Sequence, residues 1–149
     1  MNAPPPRPPT TAAEVVDEFL RLIMIPDPAA ARAFVAPGLR IRFTGARAMS
    51  DPSECTAFNA SRYKWVKKRI ERTETVATSV ITATGAIADP EAVVVYSLGT
   101  LYGEWPDGTP FEGNRYVDRY VVRGGRITEM EVWNDSAEWL LVRAGLARL

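Results

Sequence analysis

One stretch decides how this chain can fold: Arg115-Tyr116-Val117-Asp118-Arg119-Tyr120-Val121-Val122-Arg123-Gly124-Gly125-Arg126-Ile127. Its aromatic and β-branched residues predict a strand, and Gly124-Gly125 predicts a hairpin turn into a second strand. Because successive side chains of a strand point to opposite faces, one face of the first strand carries Tyr116, Asp118, Tyr120 and Val122.

Asp118 is the unusual member of this face, since a carboxylate is costly to bury unless it is paired. If the face is the concave, apolar side of a sheet, Asp118 is an acid in a pocket. If the face is the outer side, Asp118 is a solvated charge. The rest of the sequence must therefore indicate which face of the sheet carries Asp118.

The composition is that of one globular domain. The 149 residues carry a formal net charge of zero and 46% hydrophobic residues, which argues against nucleic acid and anionic membranes as partners. No apolar run approaches the roughly 18 residues of a membrane span. The single cysteine, Cys55, excludes a disulfide framework. The absence of histidine excludes Ser-His-Asp and Cys-His mechanisms and removes the commonest zinc ligand, and we expect no metal and no cofactor.

The first residues, 1–10, are rich in proline and lack the apolar stretch of a signal peptide. We expect a disordered tail there, a single domain over residues 11–149, and a cytoplasmic protein.

Capping signals place the helices. Thr11-Ala12-Ala13-Glu14 is a capping box that predicts a first helix, and Asp27-Pro28 predicts a short second helix that ends at Pro37-Gly38. Asp51-Pro52-Ser53-Glu54 predicts a third helix that runs to about Lys67. Asp135-Ser136-Ala137-Glu138 predicts a terminal helix, with Asp135 as its cap.

Between these helices the pattern predicts strands. A short strand is predicted at 39–43, and long strands follow at 70–84, 92–105, 110–123 and 126–134, with turns around 88–90, 106–108 and 124–125. Helices followed by a meander of long strands indicate an α+β fold. We expect a curved antiparallel sheet that wraps around the N-terminal helices and leaves one cavity between them, which is the natural place for a ligand.

The order of elements over residues 11–146 resembles the nuclear transport factor two-like superfamily. Asp118, the strand 119–122 and Gly125-Arg126-Ile127 resemble its SnoaL-like polyketide cyclase and ketosteroid isomerase branches. The resemblance implies a cone-shaped α+β barrel. It also implies that Asp118 is the acid/base of a cyclase or the neutral acid that donates to an oxyanion in an isomerase. Either role requires an apolar site that favours the neutral carboxyl group.

The chain departs from the catalytic sets of these families. Ketosteroid isomerase has its base on the short strand, where this chain has Ile41-Arg42-Phe43-Thr44, and its first-helix tyrosine is replaced near Phe19. The last-strand Glu-His-Trp-Asp of the cyclases is Glu129-Met130-Glu131-Val132 here. Limonene-epoxide hydrolases have an aspartate where Val132 stands. None of these three catalytic sets is complete in this chain.

Alternation on the last strand favours Met130, Val132 and Asn134 toward the cavity and both glutamates toward solvent. Arg62 either packs its stem and extends its head to water, or pairs with Asp118. The basic residues Lys64, Lys67, Lys68, Arg69 and Arg72 are interpreted as a solvated face. With Asp118 as the candidate catalytic residue, the predicted substrate-binding set is Tyr116, Tyr120, Met130, Asn134, Phe19, Phe43, Phe58 and Arg62.

Two hypotheses follow from this site. In the first, the protein is a cofactor-independent enzyme, in which Asp118 moves a proton on a small hydrophobic carbonyl or epoxide compound. In the second, the same cavity binds a molecule or serves assembly without reaction, and Asp118 is a buried residue satisfied by a partner. We also expect a homodimer through the outer sheet face, because Val93, Val95, Val117, Val121, Trp105 and Trp133 cannot all reach one interior.

Overall fold

The computed structural model describes residues 8–82 and 85–148, without the side chains of residues 77–82, 85–88 and 90. The helices are α1 (Ala12–Met24), α2 (Pro28–Ala31), α3 (Pro52–Arg62) and α4 (Ser136–Arg143), with 3₁₀ turns at Arg32–Phe34 and Thr44–Ala46. The strands are β1 (Val35–Phe43), β2 (Arg47–Met49), β3 (Trp65–Thr82), β4 (Gly85–Glu104), β5 (Pro110–Arg123) and β6 (Arg126–Asn134).

Both predicted capping boxes form. The Thr11 hydroxyl accepts a hydrogen bond from the Glu14 amide at 3.2 Å, while the Glu14 carboxylate accepts one from the Thr11 amide at 3.0 Å. Asp51 and Glu54 satisfy the first amides of α3 in the same way. Because the four N-terminal amides of a helix lack partners within it, these contacts fix where α1 and α3 begin.

The third helix is shorter than predicted. It ends at Arg62, not near Lys67, and β3 already begins at Trp65, which pairs with Glu104 of β4. The reason is that residues from Trp65 onward alternate with the period of a strand, so that Val66 and Lys68 share the face opposite to Trp65 and Lys67. This correction moves Lys68 from the end of a helix into the sheet.

The second helix also ends early. Helical structure stops with the 3₁₀ turn at Arg32–Phe34, and β1 starts at Val35, so the predicted stop at Pro37-Gly38 lies within a strand. The turn predicted around 88–90 likewise lies inside β4, where the pairing with β3 is interrupted between Ala77 and Ser79. Asp135 stands at the cap position of α4, but its carboxylate binds Arg115 and no helix amide.

The sheet has the strand order β2-β1-β6-β5-β4-β3. The neighbours are antiparallel except β1 and β6, which run parallel. A parallel pair needs a long crossover connection, and residues 44–125 between the two strands supply it. The predicted α+β fold with helices against one sheet is confirmed, whereas the sheet is mixed and has free edges at β2 and β3.

The concave face of the sheet packs against α1. The apolar stripe of α1 is buried, and Phe19 meets Tyr120 of β5 edge to face, with 6.1 Å between ring centroids. A second apolar cluster forms at the other end of the sheet around Tyr63, Leu101, Trp105, Phe111 and Tyr116. Trp105, and with it Val93 and Val95, therefore belongs to the interior and does not add to the outer face.

Gly99 and Gly103 of β4 allow β3 to approach closely. A Cβ atom on Gly99 would lie 2.1 Å from the Arg69 carbonyl oxygen, and one on Gly103 would lie 2.1 Å from the Trp65 carbonyl oxygen. Side chains at these two positions would push the strands apart. The two glycines therefore permit the close backbone approach of β3 to β4 on either side of Lys68.

The outer face of β5 and β6 carries charged residues beside apolar ones. Arg119 binds Glu129 and Glu131, and Arg40 binds Glu129, so both glutamates point away from the cavity as predicted. In the described part of the chain, no helix has the length and apolar character needed to cross a membrane.

Candidate active site

A cavity of about 430 Å³ lies between α1, α3 and the concave face of the sheet. Its apolar wall includes Phe19, Leu20 and Ile23 of α1 and Met130 and Val132 of β6. Trp65 and Lys64 line it near the start of β3. A cavity of this size and lining suits a small, mainly hydrophobic molecule.

Asp118 lies at the inner end of this cavity, on the buried face of β5. It pairs with Ser97 of β4 on one side and with Val132 of β6 on the other. Its side chain is 0% exposed. Of the two possibilities that the sequence left open, the structure therefore shows that Asp118 is on the concave side and is not a solvated charge.

Two groups bind the same carboxylate oxygen. The ammonium group of Lys68 forms an ion pair with Asp118 Oδ2. The Tyr120 hydroxyl donates a hydrogen bond to the same oxygen at 2.9 Å. Asp118 Oδ1 is buried and has no hydrogen-bond partner among the residues that the structure describes. A charge pair of this kind offsets much of the cost of burying the carboxylate.

Aromatic contacts fix the position of the Lys68 ammonium group. Its nitrogen lies 3.7 Å from the centre of the Tyr116 ring, which is within the range of a cation–π interaction. The Tyr116 hydroxyl in turn shares a hydrogen bond of 3.0 Å with Ser97. The backbone amide of Lys68, on the free edge of the sheet, donates to the sulfur of Met24 at 3.2 Å. Lys68 is thus held at its ammonium group and at its backbone.

Burial raises the pKa of the Tyr116 hydroxyl to about 12. Burial, followed by the negative charge of Asp118, raises the pKa of Tyr120 well above its usual value. Both phenols therefore stay protonated at neutral pH. They can donate hydrogen bonds, but they are poor candidates for a general base.

Lys68 and Asp118 differ in how much of each side chain is exposed. Both residues line the cavity, but the Lys68 side chain is 16% exposed, whereas Asp118 has no exposed surface. A bound molecule would therefore meet the ammonium group before it reached the carboxylate.

The structure brings part of the predicted site together. Asp118, Phe19, Phe43, Met130 and Asn134 all line the cavity. Tyr116 and Tyr120 are buried next to Asp118 and support it from within the core.

Two predicted residues lie elsewhere. The Arg62 guanidinium donates to the Thr44 hydroxyl at 3.0 Å and stacks on Phe58, with 5.2 Å to the ring centre. Phe58 packs edge to face against Phe43. Neither Arg62 nor Phe58 lines the cavity, and the cation that pairs with Asp118 is Lys68, not Arg62.

The cluster of basic residues predicts a solvated face for Lys68, and this prediction is wrong, since the Lys68 side chain is largely buried. A signal for it exists in the sequence. If a strand begins at Trp65, alternation places Lys68 between Val66 and Ile70 on one face, while Lys67 and Arg69 occupy the other. The predicted third helix extends to about Lys67 and so assigns the first of these residues to a helix, where strand alternation does not apply.

The remaining reactive groups do not form a second centre. Burial raises the pKa of the Cys55 thiol to about 12, so its thiolate is scarce at neutral pH. Within residues 8–82 and 85–148, no three or more acidic or cysteine side chains lie close enough to hold a metal ion.

The fold is shared by solved structures. An NTF2-like protein of unknown function from Burkholderia pseudomallei matches with a TM-score of 0.62 and 18% identity, over 85% of this chain and 92% of that chain. A candidate SnoaL-like polyketide cyclase from Jannaschia sp. CCS1 matches with a TM-score of 0.58 and 19% identity, over 97% of this chain and 99% of that chain.

A hypothetical protein with a ketosteroid isomerase-like fold from Catenulispora acidiphila, in complex with trimethylamine, matches with a TM-score of 0.62 and 17% identity, over 93% of this chain and 96% of that chain. No protein-family profile matches the chain, and no curated protein matches it in sequence. The resemblance to the nuclear transport factor two-like superfamily, in the form of its SnoaL-like and isomerase-like members, is confirmed for the fold.

Proposed function

We propose that this protein binds a small hydrophobic molecule with a carbonyl or hydroxyl group in its cavity, and that Asp118 acts on it as an acid/base. The activity would be a cofactor-independent isomerisation, cyclisation or hydrolysis. The observation that carries this proposal is the buried pair of Asp118 and Lys68 at the end of a cavity with mainly apolar walls.

The apolar walls would supply most of the binding energy, because transfer of apolar surface out of water is favourable. The polar end would fix the orientation of the ligand. An oxygen atom of the ligand can accept a hydrogen bond from the Lys68 ammonium group, and negative charge that develops on that oxygen would be stabilised by the same group. This arrangement favours a ligand with its oxygen at one end and an apolar body.

Asp118 would exchange a proton with the carbon or oxygen next to this group. Its carboxylate lies against the Lys68 ammonium group, and both residues line the same cavity. A carboxyl group positioned in this way can accept a proton from a bound molecule and return it. Tyr120 would hold the carboxyl group in place through its hydrogen bond to Oδ2.

Binding can be tested with 2-naphthalenemethanol, a bicyclic apolar alcohol, by isothermal titration calorimetry. Ala60 lines the cavity on α3, whereas Ala57 on the same helix does not. We expect Ala60→Phe to weaken binding at least tenfold and Ala57→Phe to leave it unchanged. Equal affinities of both variants and the wild type would place the ligand outside the cavity.

Proton transfer can be tested with 2-tetralone, an enolisable bicyclic ketone, dissolved in D₂O. We expect the protein to accelerate deuterium uptake at the carbon next to the carbonyl group, as followed by NMR. Asp118→Asn should remove the acceleration, and Glu131→Gln, on the outer face of β6, should retain it. Acceleration that survives in Asp118→Asn would contradict the assigned role of Asp118.

The alternative is a binding or assembly domain without catalysis. It is supported by the full burial of Asp118 and by the lack of an acid at Val132 and in the segment Ile41-Arg42-Phe43-Thr44, where the enzymes that this chain resembles carry one. Under this alternative 2-naphthalenemethanol binds in the cavity, but 2-tetralone exchanges no faster than in buffer.

We make two further proposals, on the oligomeric state and on the location of the protein. We propose a homodimer through the outer face of the sheet, where Leu98, Val117 and Trp133 lie side by side on β4, β5 and β6. Trp133 in this row is 51% exposed. A cytoplasmic location is proposed as well and can be checked by cell fractionation.

A further inference from the structure

We propose that Lys68 is a covalent site that forms an imine with an aldehyde or ketone bound in the cavity. This inference rests on the proposed function, because the carbonyl compound must first bind between α1 and the sheet. It gives Lys68 a chemical role beyond that of a counterion for Asp118, and it narrows the class of substrate to carbonyl compounds.

The position of Lys68 in the cavity is the first support for this role. The chain has three lysines, Lys64, Lys67 and Lys68. Lys64 is 59% exposed and bound to Glu104, and Lys67 is exposed. All three line the cavity, and Lys68 is the one whose side chain is largely buried, at 16% exposure. A carbonyl carbon that enters the cavity would therefore meet this amine in an apolar, confined space.

The second support is a proton acceptor in direct contact. A lysine ammonium group cannot attack a carbonyl group until it loses a proton. Asp118 Oδ2 binds the Lys68 ammonium group, and Asp118 has no solvent-exposed surface. The carboxylate is therefore placed to take a proton from the lysine nitrogen.

The third support is the fixed position of the amine. The Tyr116 ring beneath the nitrogen limits the freedom of the lysine side chain, and the Met24 contact restrains the backbone that carries it. A nucleophile held in one geometry loses less entropy when it reaches the transition state.

The step balances in atoms and charge. The Lys68 ammonium group transfers one proton to Asp118, and the free amine forms a C–N bond with the carbonyl carbon. The C=O π electrons move to oxygen, which takes up that proton from Asp118. The resulting carbinolamine loses its oxygen as water after a second proton transfer from nitrogen through Asp118. The products are a protonated imine, the restored Asp118 carboxylate and one water molecule.

The imine would strengthen the acid/base role of Asp118. A protonated imine withdraws electrons from the adjacent carbon more strongly than a neutral carbonyl group does. A C–H bond at that carbon is therefore easier to break, and the Asp118 carboxylate lies beside the imine nitrogen to receive the proton.

The test uses 2-naphthaldehyde, which has no enolisable hydrogen, together with sodium cyanoborohydride, which reduces an imine to a stable amine. We expect one naphthylmethyl group per chain by intact mass spectrometry and, by peptide mapping, its location on Lys68. An excess of 2-naphthalenemethanol, which cannot form an imine, should reduce the labelling at least tenfold. Lys67→Arg should be labelled like the wild type, and Lys68→Arg should not be labelled.

Labelling spread evenly over the three lysines, or labelling that the alcohol does not reduce, would overturn the inference. Peptide mapping of the wild type decides the site even if Lys68→Arg fails to fold. If 2-naphthalenemethanol binds in the cavity but Lys68 stays unlabelled, the covalent role is wrong while the binding function stands. If the alcohol does not bind either, both proposals fail.

Discussion

Lys68 and Asp118 are 50 residues apart in the chain, yet they form an ion pair across the strand that separates them. Lys68 pairs with Leu101 on one edge of β4, and Asp118 pairs with Ser97 on the other. Gly99 lies between these two positions on the same face. Gly99 has no side chain, and a Cβ atom there would run into the β3 backbone at Arg69.

The pair should be essential for stability. Lys68→Met leaves the Asp118 carboxylate buried without its cation, and removal of one partner of a buried pair costs about 3 kcal/mol. Asp118→Asn leaves the Lys68 ammonium group without its anion and should also lower stability near neutral pH. Urea unfolding measured by circular dichroism gives both values.

The matched control for this pair is Lys67→Met, since Lys67 is an exposed neighbour on the same strand. It should change the free energy of unfolding by less than about 0.5 kcal/mol. The double variant Lys68→Met/Asp118→Asn should lose clearly less than the sum of the single losses. Additive losses would mean that the two side chains do not interact in solution.

The sequence predicted much of this site but not the ion pair. The alternation around Asp118 located the acid, its tyrosine neighbours and the inward face of β6, because strand periodicity is a local property. The cation came from a distant strand, and its identity depends on the register between β3 and β4. Local patterns do not determine such a register, so the sequence alone suggests Arg62 as a partner for Asp118 and does not identify Lys68.

In the fold, too, the sequence predicts the features that depend on local contacts and misses those that depend on distant ones. The capping boxes predicted where α1 and α3 begin, because the contacts involve residues three positions apart. The end of α3 was predicted too late, since it depends on the pairing of Trp65 with Glu104. The parallel pairing of β1 with β6 is also a tertiary contact, with no local signal in either strand.

Gly99→Ala should disturb the site although it changes no polar side chain. The added Cβ atom would lie 2.1 Å from the Arg69 carbonyl oxygen, so β3 has to move away from β4. We expect a loss of about 1–3 kcal/mol, which is typical of overpacking, and reduced labelling of Lys68 by 2-naphthaldehyde. Thr100→Ala, at the next position on the other face, serves as the control. Wild-type stability of Gly99→Ala would show that the two strands are farther apart.

Tyr120→Phe should lower stability at neutral pH by about 2 kcal/mol, because the hydrogen bond from its hydroxyl to the Asp118 carboxylate is lost. Burial raises the pKa of Tyr120 in the folded state. The unfolded chain therefore releases this proton first, and the wild type should lose stability as the pH rises above about 10.

In Tyr120→Phe this alkaline loss should be smaller, though still present, because the pKa values of Tyr63 and Tyr116 are also raised by burial. Urea unfolding of both proteins at intervals between pH 8 and 11 provides the comparison. Parallel stability curves over the whole range would contradict the burial of a protonated Tyr120.

Asp51 should stabilise the protein in a pH-dependent way. The Arg32 guanidinium group, together with the Ser53 hydroxyl and amide, holds the pKa of its carboxyl group far below the usual value. A lowered folded-state pKa means that the stabilisation is present above the unfolded pKa of about 4 and is lost as the pH falls below it.

Asp51→Ala should therefore cost about 1 kcal/mol at pH 7, the typical value of an N-cap, and the difference from the wild type should shrink toward pH 3. Thermal unfolding at both pH values measures it. Glu138→Ala, at an exposed position in the first turn of α4, is the control. A difference that stays constant between pH 7 and pH 3 would exclude the charged form of Asp51 as its source.

The outer face should hold two chains together. Leu98, Val117 and Trp133 form an apolar row across three strands, and half of the Trp133 surface is exposed. Exposed apolar surface of this kind is favourable to bury against a second copy. Light scattering at micromolar concentration should give the mass of two 16.4 kDa chains. Trp133→Lys should give the mass of one chain, and Leu141→Lys, on the exposed side of α4, should remain dimeric. A wild-type mass of a single chain would rule out this interface.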